Sequence, residues 1–266
     1  MIGSALTAQN AAGQAPALLS VRDVHQRFGG VSACSGVSFD VQDGTITGLI
    51  GPNGAGKSTM VSIIGGALRP TSGSVLFEGH DVTGKLPHEL SRLGLTRTFQ
   101  TSSEFSRLTV LENLLVAAPS QVGETFLGAL RGRRYWLAQE RARVGQAREL
   151  LSRFDMRDKE SDLAGDLSGG QKRLVEIMRA LMTKPKFLLL DEPMVGVHPD
   201  LALRLAEHLE RLRDEGVTML MVEHEMSIVE RLCDPVIVMA QGTVLVETPM
   251  RQLRQHQAVV DAYLAG

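Results

Sequence analysis

The chain has 266 residues, 43% of them hydrophobic and 22% charged, which is enough apolar material for one large or two modest globular units. A formal net charge of -2 gives no general electrostatic drive towards nucleic acid, and no nucleic-acid partner is expected. The two cysteines, Cys34 and Cys233, lie far apart without metal-ligand spacing and predict free thiols in a reducing compartment.

Met1 to Ala17 is rich in Ala, Gly and Gln and lacks the basic start and apolar stretch of an export signal, so residues 1–17 are expected to form a disordered tail. No run approaches the ~20 apolar residues that would span a bilayer. A role at a membrane would therefore require docking. Residues 18–50 predict short strands and turns: Val37 to Val41 alternates, Asp43-Gly44 turns, and Thr45 to Ile50 is an apolar strand. A helix is predicted over Lys57 to Leu68 and an edge strand over Ser74 to Phe77. From Thr101 to Leu163 strand signals vanish, and Tyr135 to Phe154 has helical spacing, which predicts an inserted helical segment. Helices over Lys172–Thr183 and Leu201–Glu215 then alternate with apolar strands at Phe187–Leu190, Val217–Val222 and Pro235–Met239. That rhythm predicts an α/β fold with a parallel sheet covered on both faces.

Gly51-Pro-Asn-Gly-Ala-Gly-Lys-Ser58 fits G-x-x-x-x-G-K-[ST] between a predicted strand and a predicted helix. Gly51, Gly54 and Gly56 let the backbone curl so that successive N–H groups face phosphate oxygens, and the helix start adds its positive dipole end. Lys57 has the reach for β- and γ-phosphates and the Ser58 hydroxyl suits Mg²⁺. No Asn-Lys-x-Asp motif points to guanine.

Phe187-Leu-Leu-Leu-Asp191 is an apolar strand ending in an acid, followed by Glu192. Successive strand residues point to different sides, so Asp191 suits the metal and Glu192 suits a general base or an orienter of the attacking water. His224 follows the strand Met219 to Val222; it either caps and packs or contacts a γ-phosphate. Gln100 is either a surface amide or a weak ligand that reports nucleotide state, and Phe28 either stacks on a base or packs in a core. Leu167-Ser-Gly-Gly-Gln171 precedes a predicted helix and makes a second anion-directed helix start. With one Lys-bearing loop and two such starts, a head-to-tail pair of chains is expected, each ATP held between Lys57 of one and Ser168 of the other.

With these motifs in this order, the chain resembles the ABC-transporter nucleotide-binding subunits from about Leu18 onward. The resemblance implies a P-loop NTPase core with an antiparallel β subdomain and an inserted α-helical subdomain, the core being 18–100 and 166–266 and the helical part 101–165. It implies ATP contacts from Phe28, Gly51, Pro52, Asn53, Gly54, Ala55, Gly56, Lys57, Ser58, Thr59 and Gln100, with Mg²⁺ held by Ser58, Gln100 and Asp191. Catalysis would fall to Glu192 and His224, and Ser168, Gly169, Gly170 and Gln171 would serve the opposite site. Implied partners are a second ABC ATPase subunit, identical or different, and transmembrane permease subunits docking near Thr101–Leu108, where Phe105 and Leu108 are candidate contacts. A solute-binding protein would act through the permease, with the chain peripheral on the cytoplasmic side of the cell membrane.

Within the family the chain is most similar to ATPases of branched-chain amino acid and related amide importers, through Phe28-Gly-Gly30, Arg97-Thr-Phe-Gln100, Glu112-Asn-Leu-Leu-Val116 and Ala262-Tyr-Leu264. A lipopolysaccharide-export motor is the alternative, and a soluble ABC ATPase outside transport a third reading. Two departures stand out. The signature has a plain Gly169 where that subgroup often has an aromatic, and His198 occupies a D-loop position where Asp or Asn is usual. Arg131, Arg133 and Arg134 are read as a solvated helix face, with lipid headgroups or the permease as the alternative.

Overall fold

The computed structural model describes residues 17–98, 105–119, 133–257 and 259, with backbone only for 133–137. The tail 1–16, Gln100, Thr101 and Arg131 lie outside these residues, and of Arg133 and Arg134 only the backbone is described.

Strands β1 (Leu19–Phe28), β2 (Val31–Val41), β4 (Ser72–Phe77) and β5 (His80–Asp81) form an antiparallel sheet in the order β2-β1-β4-β5. A second sheet has the order β10-β9-β3-β8-β7-β6, from β3 (Ile46–Ile50), β6 (Leu95–Arg97), β7 (Phe187–Asp191), β8 (Thr218–Val222), β9 (Val236–Ala240) and β10 (Thr243–Thr248). Its five strands β9, β3, β8, β7 and β6 run parallel, and β10 adds an antiparallel edge. Every residue of β3, β7, β8 and β9 is buried, as expected when both faces are covered. The period of two divides these strands between two cores. Ile46, Ile50, Leu188, Leu190, Met219 and Met221 join one, and Leu49, Phe187, Leu189, Leu220 and Val222 join the other.

The second core is closed by helix α1 (Lys57–Ile64) and the antiparallel sheet. The first is closed by α3 (Val110–Ala117), α4 (Arg133–Arg153), α5 (Gly169–Leu181), α6 (Pro199–Asp214) and α7 (Met226–Leu232). The described part of the helical segment thus shares one continuous core with the sheet. Asp191 keeps the parity of Phe187 and Leu189, which turns it towards the α1 face.

Three expectations change. Ser72–Phe77 is an inner strand, because β5 pairs on its far side through Leu76–Asp81 and Phe77–His80. The predicted Lys172–Thr183 helix begins at Gly169, since the side chain of Ser168 caps it and supplies the start that two glycines obscure. The predicted Lys57–Leu68 helix ends at Ile64, where Gly65 and the positive φ of Gly66 unwind it. The short α2 (Pro87–Leu93), β6, α7 and β10 had no distinct sequence signal. Both cysteines are buried and free.

Candidate active site

The chain leaves β3 at Gly51 with φ 146°, and Gly54 and Gly56 also have positive φ, 78° and 99°. A Cβ on Gly51 would lie 2.0 Å from the Met239 carbonyl oxygen, and one on Gly56 would lie 2.4 Å from that of Ala33. The loop is therefore pressed between the end of β9 and strand β2, where only glycine fits. Gly56 begins α1 without a side-chain cap, an arrangement that can receive an anion on the first N–H groups of the helix. Lys57 is buried, and its Nζ donates to the carbonyls of Gly51 (2.7 Å) and Pro52 (2.9 Å). Burial lowers the Lys57 pKa, while the charges of Glu192 and Asp191 oppose that shift. Asn53, Gly54 and Ser58 are exposed, Pro52, Gly56 and Thr59 are half-buried, and Ala55 is buried under the loop.

Asp191, at the end of β7, is 2% exposed. Arg97 Nη2 donates to its Oδ2 at 3.0 Å, and its buried Oδ1 has no hydrogen-bond partner among the described residues. Glu192 leaves the strand with φ 49° and donates its N–H to the Val222 carbonyl. Its Oε1 meets His224 Nε2 at 2.5 Å. Both side chains are partly open to solvent. Lys57, Asp191, Glu192 and His224 therefore come together where β3, β7 and β8 end side by side.

Three further residues reach this site. Arg173 Nη2 donates to the Glu192 carbonyl at 3.2 Å and Nη1 to Glu176 Oε2 at 2.7 Å, linking α5 to the loop after β7. Burial raises the Glu176 pKa, opposed by Arg173. Glu223 accepts from the backbone N–H groups of Met194 and His224. The sequence signal for Glu223 was the one that marked Asp191, an acid closing an apolar strand. For Arg173 and Glu176 it was an i, i+3 pair of opposite charges on a helix.

Ser168 caps α5: its Oγ accepts from Gln171 N–H at 3.3 Å, and Gln171 Oε1 accepts from Ser168 N–H at 3.0 Å. A Cβ on Gly170 would lie 2.5 Å from Leu201 Cδ2, whereas one on Gly169 would meet nothing closer than the Gly196 carbonyl oxygen at 3.8 Å. Phe28 ends β1 with 50% of its surface exposed, which removes the core-packing reading. His198 is the exposed N-cap residue of α6. Phe105 is half-buried under the Arg179 guanidinium, 4.4 Å from its ring centroid, and Leu108 is also half-buried, so neither is a freely exposed contact. A cleft of about 660 Å³ lies between α2, β6 and α5, lined by Pro87, Leu95, Arg97, Ala117, Glu176 and Arg179 among others.

A family model for ABC transporters matches residues 34–195, which hold the glycine loop, Ser168 and Asp191–Glu192. The chain belongs to the ABC transporter family. It is an ABC-type ATPase. It is 40% identical over 249 residues to a probable branched-chain amino acid transport ATP-binding protein of Archaeoglobus fulgidus, covering 94% of this chain and 96% of that protein. It is 38% identical to the structure of a nucleotide-free ATP-binding cassette from an ABC transporter, with a TM-score of 0.82, covering 93% of this chain and 99% of the other. A dimeric bacterial ABC transporter cassette is similar at 26% identity and TM-score 0.73, covering 88% and 99%. Among the described residues no helix of the cassette is long and apolar enough to cross a membrane.

Proposed function

We propose that this chain hydrolyses ATP to drive import of branched-chain amino acids or related amides, using Glu192 and His224 as its hydrolytic pair. The Glu192–His224 contact beside Lys57 and Asp191 carries this reading. The glycine loop and the start of α1 receive the phosphates, Lys57 moves from the Gly51 and Pro52 carbonyls onto them, and Phe28 offers an exposed ring to the base. Glu192 orients the attacking water and takes its proton on the carboxylate, while His224 faces the γ-phosphate and holds Glu192 in place. Mg²⁺ fits the donors present: the exposed Ser58 hydroxyl and the unpartnered Asp191 Oδ1, with Gln100 expected as a third. No group of three or more His, Cys, Asp or Glu able to hold a metal occurs among the described residues, as suits an ion bound mainly through nucleotide phosphates. When bound, the ion neutralises charge on the β- and γ-phosphates.

The Ser168–Gln171 start of α5 is the counterpart for a second ABC ATPase subunit, identical or different, so that one ATP lies between two chains. The similarity to a dimeric cassette supports this arrangement. The 660 Å³ cleft, whose Arg179 lies over the Phe105 ring, supports the reading of a permease helix seated there, with the chain peripheral on the cytoplasmic side of the cell membrane. A solute-binding protein acts through that permease. The relatives' names support branched-chain amino acids as cargo. In proteoliposomes holding the chain with its co-purified permease, binding protein loaded with leucine, isoleucine or valine is expected to stimulate ATP hydrolysis. Basal turnover with all three would reject this cargo.

A further inference from the structure

Glu192 and His224 stand on loops that leave neighbouring strands, and their contact depends on how those loops are tied together. One tie is the Glu192 N–H bond to the Val222 carbonyl at 3.0 Å. The other is a side chain. Glu223 is 3% exposed; its Oε1 accepts from Met194 N–H at 2.9 Å and its Oε2 from His224 N–H at 3.0 Å. One carboxylate thus clamps the loop after β7 and the loop after β8, one oxygen to each. None of the ion pairs among the described residues involves Glu223, and the pKa of the nearby Cys233 thiol is pushed up to about 12 by burial first and by Glu223 second. Burying a carboxylate without a cation is costly unless its lone pairs are met, and here two backbone donors meet them. An amide cannot replace it. A glutamine would accept from one N–H through its oxygen and turn its own NH₂ against the other.

We propose that Glu223 is a positioning residue for ATP hydrolysis: its carboxylate, one oxygen to each loop, fixes both loops in one register and thereby holds His224 against Glu192. The same anchor secures the start of the Met194–His198 segment, so a displacement of that segment is passed to His224 through a single side chain. The inference rests on the reading of Glu192 and His224 as the hydrolytic pair.

The test is a double-mutant cycle on the full-length chain, with ATP hydrolysis measured over a range of ATP concentrations. Glu223→Gln is expected to lower kcat roughly tenfold or more with KM within about twofold, because misplacing a group affects the transition state and not ATP binding. In a His224→Ala background the same substitution is expected to cost less than about twofold, since the group it positions is gone. An unchanged kcat, or an equal loss in both backgrounds, would overturn the proposal. So would a rise in KM in step with a lowered melting temperature, the pattern of a merely structural role. If Glu223→Gln does not fold, Glu223→Asp is measured in both backgrounds instead, and the same outcomes support or overturn the proposal. Normal turnover of His224→Ala alone would instead reject the hydrolytic pair itself.

Discussion

The residue scale separates glycines that the backbone requires from glycines that it only tolerates. Gly56 has φ 99°, and a Cβ there would press on the Ala33 carbonyl at 2.4 Å. Gly56→Ala is therefore expected to destabilise the chain by about 1–3 kcal/mol and to abolish ATP binding, since relief requires the loop to move off β2. Thermal melting with and without ATP measures both effects; an unaltered ATP-dependent shift would contradict the packing argument. In the signature, Gly170 is fixed by Leu201 whereas Gly169 has open space up to 3.8 Å, so the backbone there also accepts a larger side chain. The plain glycine that departs from the importer subgroup is consequently no sign of a different fold at that point. His198 is exposed, and among the described residues its ion-pair neighbour is Asp200, 3.8 Å away.

At the scale of elements, the strands flanking the site were legible because β3, β7 and β8 are mostly apolar runs, and the loop between β3 and α1 because its glycines and lysine have fixed spacing. What stayed illegible depends on contacts distant in sequence. β6 has three residues and exists only because Leu95–Arg97 pairs with Phe187–Leu189, and the clamp at Glu223 requires Met194, 29 residues away, to fold back onto it. The helical segment meets the core through another such contact, the ring of His208 on α6 stacked on Phe154 with centroids 4.4 Å apart. His208 is buried; desolvation lowers its pKa below 6.5, aided by Arg211 and Arg153 and opposed by Asp155 and Glu207. The unfolded chain then binds more protons there than the folded one, so this contact loses stability as pH falls below the unfolded value of about 6.5. Melting temperatures between about pH 7.5 and 5.5 are expected to fall more steeply for the wild type than for His208→Gln. Parallel slopes would remove His208 from that role.

For the whole molecule, the parallel sheet brings Lys57, Asp191, Glu192 and His224 together at one end of its inner strands, and its two cores stand on opposite faces behind them. The four arise from three separate strand ends, so a single chain supplies the phosphate loop, the acids and the histidine. The start of α5 is built differently. Ser168 and Gln171 are engaged with each other as a cap, and on the proposed reading the exposed start of that helix serves a nucleotide held by a second subunit. On the proposed reading, Lys57 and α1 hold the anion while Glu192 acts on water, which separates phosphate binding from hydrolysis. Glu192→Gln tests this division most directly. ATP binding is expected to persist, hydrolysis to fall by about 100-fold or more, and light scattering to detect a stable dimer in ATP. Unchanged turnover in that variant would contradict the account.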